Sequence, residues 1–269
     1  MMDELKIFTG RAHPELAEEI CRELNVPLGR SEILKFTNDN SFVRINESVR
    51  EADVFVIQPS CQPVNDGLME LLIMIDALKR ASVRRLTAVT PYFPYGRSDK
   101  KDQPRISITA RLVADLLQVA GVDRVLALDL HSPQIQGFFS VPVDHITAVP
   151  ILAGYFAAKR LENLVVVAPD AGRAKMAREY ARLLQASMAI IDKRRIDNQD
   201  NVVMDNVIGD VAGKSCLIVD DEISSGGSLV AAAETLARFG AEKIYAAVTH
   251  PILSGMAPQR ILSSKIDEL

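Results

Sequence analysis

Cys216-Leu217-Ile218-Val219-Asp220-Asp221-Glu222-Ile223-Ser224-Ser225-Gly226-Gly227-Ser228 runs from apolar residues through paired acids into a Ser/Gly loop, and an alanine-rich stretch follows. Four apolar residues in succession, without polar alternation, suit a strand buried on both faces, hence a parallel one. Such a strand delivers Asp220 and Asp221 at its C-terminal end, where ligands of open α/β sheets bind. The loop then leads into a helix start. Glycines let the backbone approach an anion, serines donate O–H, and the unpaired helix N–H groups with the dipole favour a phosphate. Acids beside a phosphate cradle suit a sugar phosphate, with carboxylate oxygens accepting from ribose hydroxyls.

Working outward, similar apolar runs occur at 54–57, 86–89, 125–128, 165–168, 189–191 and 245–248. Helical patterns lie between them. The stretch 68–80 carries Leu68, Leu71, Leu72, Ile75 and Leu78 on one side, and 108–120 carries Leu112, Leu116 and Val119. Stretches 174–184 and 229–239 are alanine-rich, and Pro14 opens an earlier helix where its missing N–H costs nothing. Strand and helix alternate throughout, which predicts an α/β fold with helices flanking a mainly parallel sheet. The order reads as two successive units, 1–146 and 147–269, joined where Pro142 and Pro150 bracket a non-periodic stretch.

Composition narrows the class. With 269 residues, 48% apolar and 25% charged, the chain is an ordinary globular one, not a disordered, collagen-like or disulfide-stapled one. Lys and Arg total 31 against 35 acids, a net charge of −4, which argues against nucleic-acid binding by bulk field. Cys21, Cys61 and Cys216 form no C-x-x-C pair and read as small buried residues of a reducing compartment. No apolar run is long enough to span a membrane, and Asp3 and Glu4 stand where a signal peptide would be basic. The expectation is a cytoplasmic protein with neither membrane nor nucleic-acid partner. The faint retention-like tail at 265–269 and the sequon at Asn46 fall with the missing signal peptide.

Other strand ends carry chemistry. Asp170-Ala171-Gly172-Arg173 brings a carboxylate, a glycine and an arginine to a helix start, suited to a metal and a diphosphate. His131 follows the run at 125–128 and shares the sheet's C-terminal edge. Residues 91–102 set aromatics beside Arg97, Lys100 and Lys101, suited to a nucleobase and a polyphosphate. The polar stretch 192–201 between apolar strands reads as a lid or binding loop. Gly209-Asp210-Val211-Ala212-Gly213-Lys214-Ser215 imitates a Walker A loop, but it is one residue short and precedes a strand, so it reads as a polar turn.

Taken together, these stretches resemble the ribose-phosphate pyrophosphokinase family from Lys6 to the last residue, most closely at 65–82, 91–102, 127–139, 190–195 and 249–255. The resemblance implies two phosphoribosyltransferase-like domains, the first on the ATP side and the second on the ribose 5-phosphate side. It implies transfer of the β,γ-diphosphoryl group of ATP to the anomeric hydroxyl of ribose 5-phosphate with release of AMP, a need for Mg2+, and a homohexamer built from dimers. By position, His131 and Asp170 match metal ligands, and Lys193 and Arg195 match catalytic loop cations, Arg195 also touching the pentose phosphate. Asp220, Asp221, Ser224, Ser225, Gly226, Gly227 and Ser228 match the ribose 5-phosphate site. Phe36 matches the residue that stacks adenine. Asn38, Asp39 and Asn40 match an ATP-contact triplet that reaches a neighbouring subunit's site, and Arg97 and Ser98 match a second ATP-contact pair. The chain departs from the family's usual Asp-Gly-Glu at 38–40, Arg-Gln at 97–98 and acid at 224. Those departures keep a non-catalytic regulatory homologue in view, and the acid pair with its serine–glycine loop, shared with type I phosphoribosyltransferases, keeps such an enzyme as a second rival.

Overall fold

The computed structural model describes residues 4–195 and 202–269, apart from the side chains of 193–195 and 202–205. The chain divides into two units, Met1–Ile146 and Thr147–Leu269. The first runs β1 (Leu5–Thr9), α1 (Pro14–Leu24), β2 (Ser31–Lys35), β3 (Ser41–Ile45), β4 (Asp53–Ile57), α2 (Val64–Arg80), β5 (Arg85–Thr90), α3 (Thr109–Ala120), β6 (Arg124–Leu128) and β7 (Val143–Ile146). Its main sheet has the order β1-β4-β5-β6-β7, every pair parallel, while β2 and β3 form a separate antiparallel ribbon.

The continuous apolarity of β4 follows from cover on both faces. Val54 and Val56 pack with Leu71 and Met74 of α2 and with Val113 and Leu117 of α3. The alternate residues Phe55 and Ile57 join Ala17 and Cys21 of α1. Each such Val, Ile or Leu contributes roughly 1.5–3 kcal/mol when fully buried. One expectation needs correcting. Helix α3 turns Ala110, Val113, Ala114 and Leu117 to the core, and Leu112, Leu116 and Val119 stand exposed. The helix has two apolar stripes, and the one with the smaller side chains approaches the sheet.

The second unit runs α4 (Val149–Ala158), β8 (Leu164–Ala168), α5 (Ala174–Leu184), β9 (Ser187–Arg195), β10 (Val202–Ile208), β11 (Ser215–Ile223), α6 (Gly227–Arg238), β12 (Lys243–Pro251) and α7 (Ala257–Leu262). The sheet order is β10-β9-β8-β11-β12, parallel except for β10 against β9. Val165, Val167, Cys216 and Ile218 meet Leu229, Ala232, Ala233 and Leu236 of α6 on one face. Val166, Ala168, Leu217 and Val219 meet Phe156 of α4 and Tyr180 of α5 on the other. The polar stretch expected to be a connecting loop is partly strand, since 192–195 extend β9; residues 196–201 lie outside the described residues. No helix among the described residues is long and apolar enough to cross a membrane.

Candidate functional site

In the second unit, parallel pairing brings several strand ends to one edge. Val167 of β8 pairs with Ile218 of β11, and Ala168 pairs with Ile190 of β9. Asp170, Asp192 and the Asp220–Asp221 pair therefore emerge side by side. Asp170 leads the turn 171–173, and a Cβ on Gly172 would stand 3.0 Å from Asp170 Oδ1. The missing side chain at 172 keeps space around that carboxylate.

Asp220 and Asp221 differ in access, with side chains 25% and 2% exposed. Burial pushes the Asp220 carboxyl up to about 7; a side-chain hydrogen bond with Asp221 acts in the same direction and the Arg173 charge opposes it. The loop after β11 reaches Gly226, whose φ of +76° places it in the left-handed region, and α6 starts at the next residue without a side-chain cap. Its first N–H groups are thus presented to a ligand, beside the exposed Ser225, Gly227 and Ser228. The segment after β12 holds this loop in shape. Ser254 N–H donates to Ser224 O at 2.9 Å, and Arg260 Nη1 donates to Ser225 O at 3.2 Å.

Lys193 and Arg195 have backbones in β9, paired with Met204 and Val202 of β10; their side chains lie outside the described ones.

In the first unit, β7 fixes the end of β6. Asp129, at φ +39°, donates its N–H to Ile146 O at 2.9 Å, and Leu130 N–H donates to His145 Nε2 at 2.9 Å. Burial holds the His145 imidazole below its ordinary value, against the nearby Asp129 charge. His131 follows directly. A Cβ on Gly96 would lie 3.7 Å from His131 Cβ, so the 91–102 segment runs against the histidine at Gly96, the residue before Arg97 and Ser98. Of the aromatics in that segment, Phe93 is 3% exposed and packs edge-on against Phe139, so it belongs to the core. The exposed Tyr95 is hydrogen-bonded to Asn65.

Phe36, Asn38, Asp39 and Asn40 share the exposed turn between β2 and β3. Phe36 is 52% exposed, with its ring 5.6 Å from that of Phe42. Asp39 adopts φ +67° and pairs with Lys35 at 2.8 Å. Sequence reasoning missed what lies beside this ribbon, a cavity of about 300 Å³ lined by Arg11, Lys35, Cys61, Asp66 and Glu70 among others. Glu70, 2% exposed, accepts from Arg11 Nε at 2.8 Å and from Arg11 N–H at 2.5 Å. Nothing local marks Glu70, which reads as one polar residue of a helix. Sequence reasoning also left unseen that Arg173 pairs with Asp220 and Asp221 in place of standing open to a diphosphate.

A sequence model of the N-terminal domain of ribose phosphate pyrophosphokinase matches residues 5–121, and one of the phosphoribosyl transferase domain matches residues 143–267. The ribose-phosphate pyrophosphokinase of Clostridium perfringens is 52% identical over 268 residues, covering 98% of this chain and 84% of its own length. That of Bacillus caldolyticus is 51% identical over 266 residues, covering 99% and 84%. The crystal structure of phosphoribosylpyrophosphate synthetase from Mycobacterium smegmatis matches with a TM-score of 0.93 at 46% identity, covering 99% of this chain and 88% of that one.

Proposed function

The chain belongs to the ribose-phosphate pyrophosphokinase family, and on that premise we propose that it transfers the diphosphoryl group of ATP to the anomeric hydroxyl of ribose 5-phosphate, giving phosphoribosyl pyrophosphate and AMP. The observation that carries this reading is the end of β11, where a half-buried acid, a serine–glycine turn and an uncapped helix start follow one another. The turn and the first N–H groups of α6 hold the 5-phosphate, and Asp220 accepts from ribose hydroxyls with Asp221 buried beside it. On the nucleotide side, Arg97 and Ser98 contact ATP, Phe36 stacks on adenine, and Asn38, Asp39 and Asn40 serve a neighbouring copy within a hexamer.

A transferring diphosphoryl group carries several negative charges, so the protein's work is to position reactants and neutralise charge. Lys193 and Arg195 supply cations for that purpose, Arg195 also meeting the pentose phosphate. Asp170 fits Mg2+, since it offers hard carboxylate oxygens and Gly172 leaves room around them. His131 offers an imidazole nitrogen at its own strand end. Mg2+ bound at either position would supply charge neutralisation at phosphate oxygens. We place the enzyme in the cytoplasm, in nucleotide-precursor synthesis. A type I phosphoribosyltransferase shares the β11 loop, but the match to the pyrophosphokinase N-terminal domain over residues 5–121 favours the kinase.

The test is to mix the chain with Mg2+, ATP and ribose 5-phosphate and identify the nucleotide product. AMP is expected. ADP, or release of diphosphate dependent on a nucleobase, would sink the reading.

A further inference from the structure

Arg173 has no part in the arrangement proposed so far, yet its side chain is held at two points at this edge of the second unit. It closes the turn after β8, its N–H donating to Asp170 O at 3.2 Å. Its Nε lies 2.9 Å from Asp220 Oδ1 and its Nη2 lies 2.7 Å from Asp221 Oδ1, with 17% of the side chain exposed. One guanidinium from the end of β8 therefore spans both carboxylates at the end of β11, its neighbour in the sheet. Asp220 Oδ1 also accepts the Asp221 N–H at 2.9 Å.

Two adjacent acids out of water repel each other, and an unbraced carboxylate swings among rotamers. A planar guanidinium presents separate N–H groups in a rigid fork, so one group compensates both charges and braces the Asp220 carboxylate through Nε, while its approach to Asp221 Oδ1 is an ion pair alone. A lysine supplies one point charge and no such fork.

We propose that Arg173 is a positioning residue of the pentose site, holding the Asp220 carboxylate in the one orientation that meets the sugar hydroxyls. This rests on the reading that Asp220 contacts ribose. Arg173 acts through the acid and does not itself touch substrate, so its loss falls on ribose 5-phosphate and spares ATP.

Steady-state kinetics of the full chain test this, with each substrate varied in turn for Arg173→Gln, Arg173→Lys, Asp220→Asn and the Gln/Asn double variant. Thermal melting checks that each is folded. Arg173→Gln is expected to raise the KM for ribose 5-phosphate about tenfold or more while that for ATP stays within about twofold. Arg173→Lys recovers part of the loss. On the Asp220→Asn background the Arg173→Gln change adds little, because the carboxylate it orients is gone. An unchanged ribose 5-phosphate KM in Arg173→Gln, or KM values for both substrates rising together, overturns the proposal. If Arg173→Gln does not fold, Arg173→Lys decides: a ribose 5-phosphate KM above the parent's supports the fork, and parental values overturn it. An unaltered KM in Asp220→Asn overturns the pentose reading itself and the proposal with it. A raised KM there beside an unaltered one in Arg173→Gln overturns the proposal alone.

Discussion

Asp220 holds its proton more tightly in the fold than in the unfolded chain. An unfolded aspartate titrates near 3.8 and the buried one at about 7, so between those values the folded state carries a proton that the unfolded state lacks. Stability attributable to this group therefore falls as pH rises through that window. Asp220→Asn, which cannot ionise, is expected to melt above the parent at about pH 8, with the gap closing toward about pH 4. Melting curves at both ends check it, and a gap that widens toward acid contradicts it. At the same scale, Lys193→Ala and Arg195→Ala are each expected to lower turnover by roughly a hundredfold or more, as loss of charge stabilisation does elsewhere. Turnover within about tenfold of the parent would remove them from the chemistry. The sequence made Asp220 legible because a strand, an acid pair and a loop follow one another along the chain. Its partner Arg173 was not legible as such, because a contact between neighbouring strand ends leaves no spacing to read.

Among the elements, the turn into α6 depends on a residue without a side chain. Gly226 lies at φ +76°, and a Cβ there would come within 3.5 Å of Ala257 and 3.6 Å of Ile261 on α7. Backbone conformation sets the cost more than space does, so Gly226→Ala is expected to lose about 1 kcal/mol of stability. Denaturant titration reads that loss, and affinity for ribose 5-phosphate should fall with it. The central strands were legible because cover on both faces makes them continuously apolar. Edge and near-edge elements were not. Strand β7, Val143–Ile146, includes Asp144 and His145 and lies where a junction was expected. Helix α4 is apolar on nearly every side and so shows no stripe, and its Pro150 sits in the first turn, where proline is tolerated. Strand β9 outruns its apolar run because Asp192–Arg195 pair with β10 at the sheet's antiparallel margin.

For the whole molecule, alternation of strand and helix is enough to predict two parallel sheets. How many copies assemble is not written in that pattern. The exposed stripe of Leu112, Leu116 and Val119 on α3, the last 86% exposed, is apolar surface of the kind that assembly covers. Sedimentation is expected to show a species several times the 29.5 kDa mass of one chain. A single 29.5 kDa boundary at working concentration would dismiss the hexamer.

The three thiols are unequal in a useful way. Burial pushes all three thiols up, Cys216 to about 11, but Cys21 and Cys216 are sealed in separate cores, whereas Cys61 is half-exposed in the lining of the cavity shared by Arg11 and Lys35. A maleimide dye should therefore attach at Cys61 alone, and Cys61→Ser should abolish labelling. Because the chain has no tryptophan to compete optically, the native protein offers one addressable point from which events around the β2–β3 ribbon are open to fluorescence.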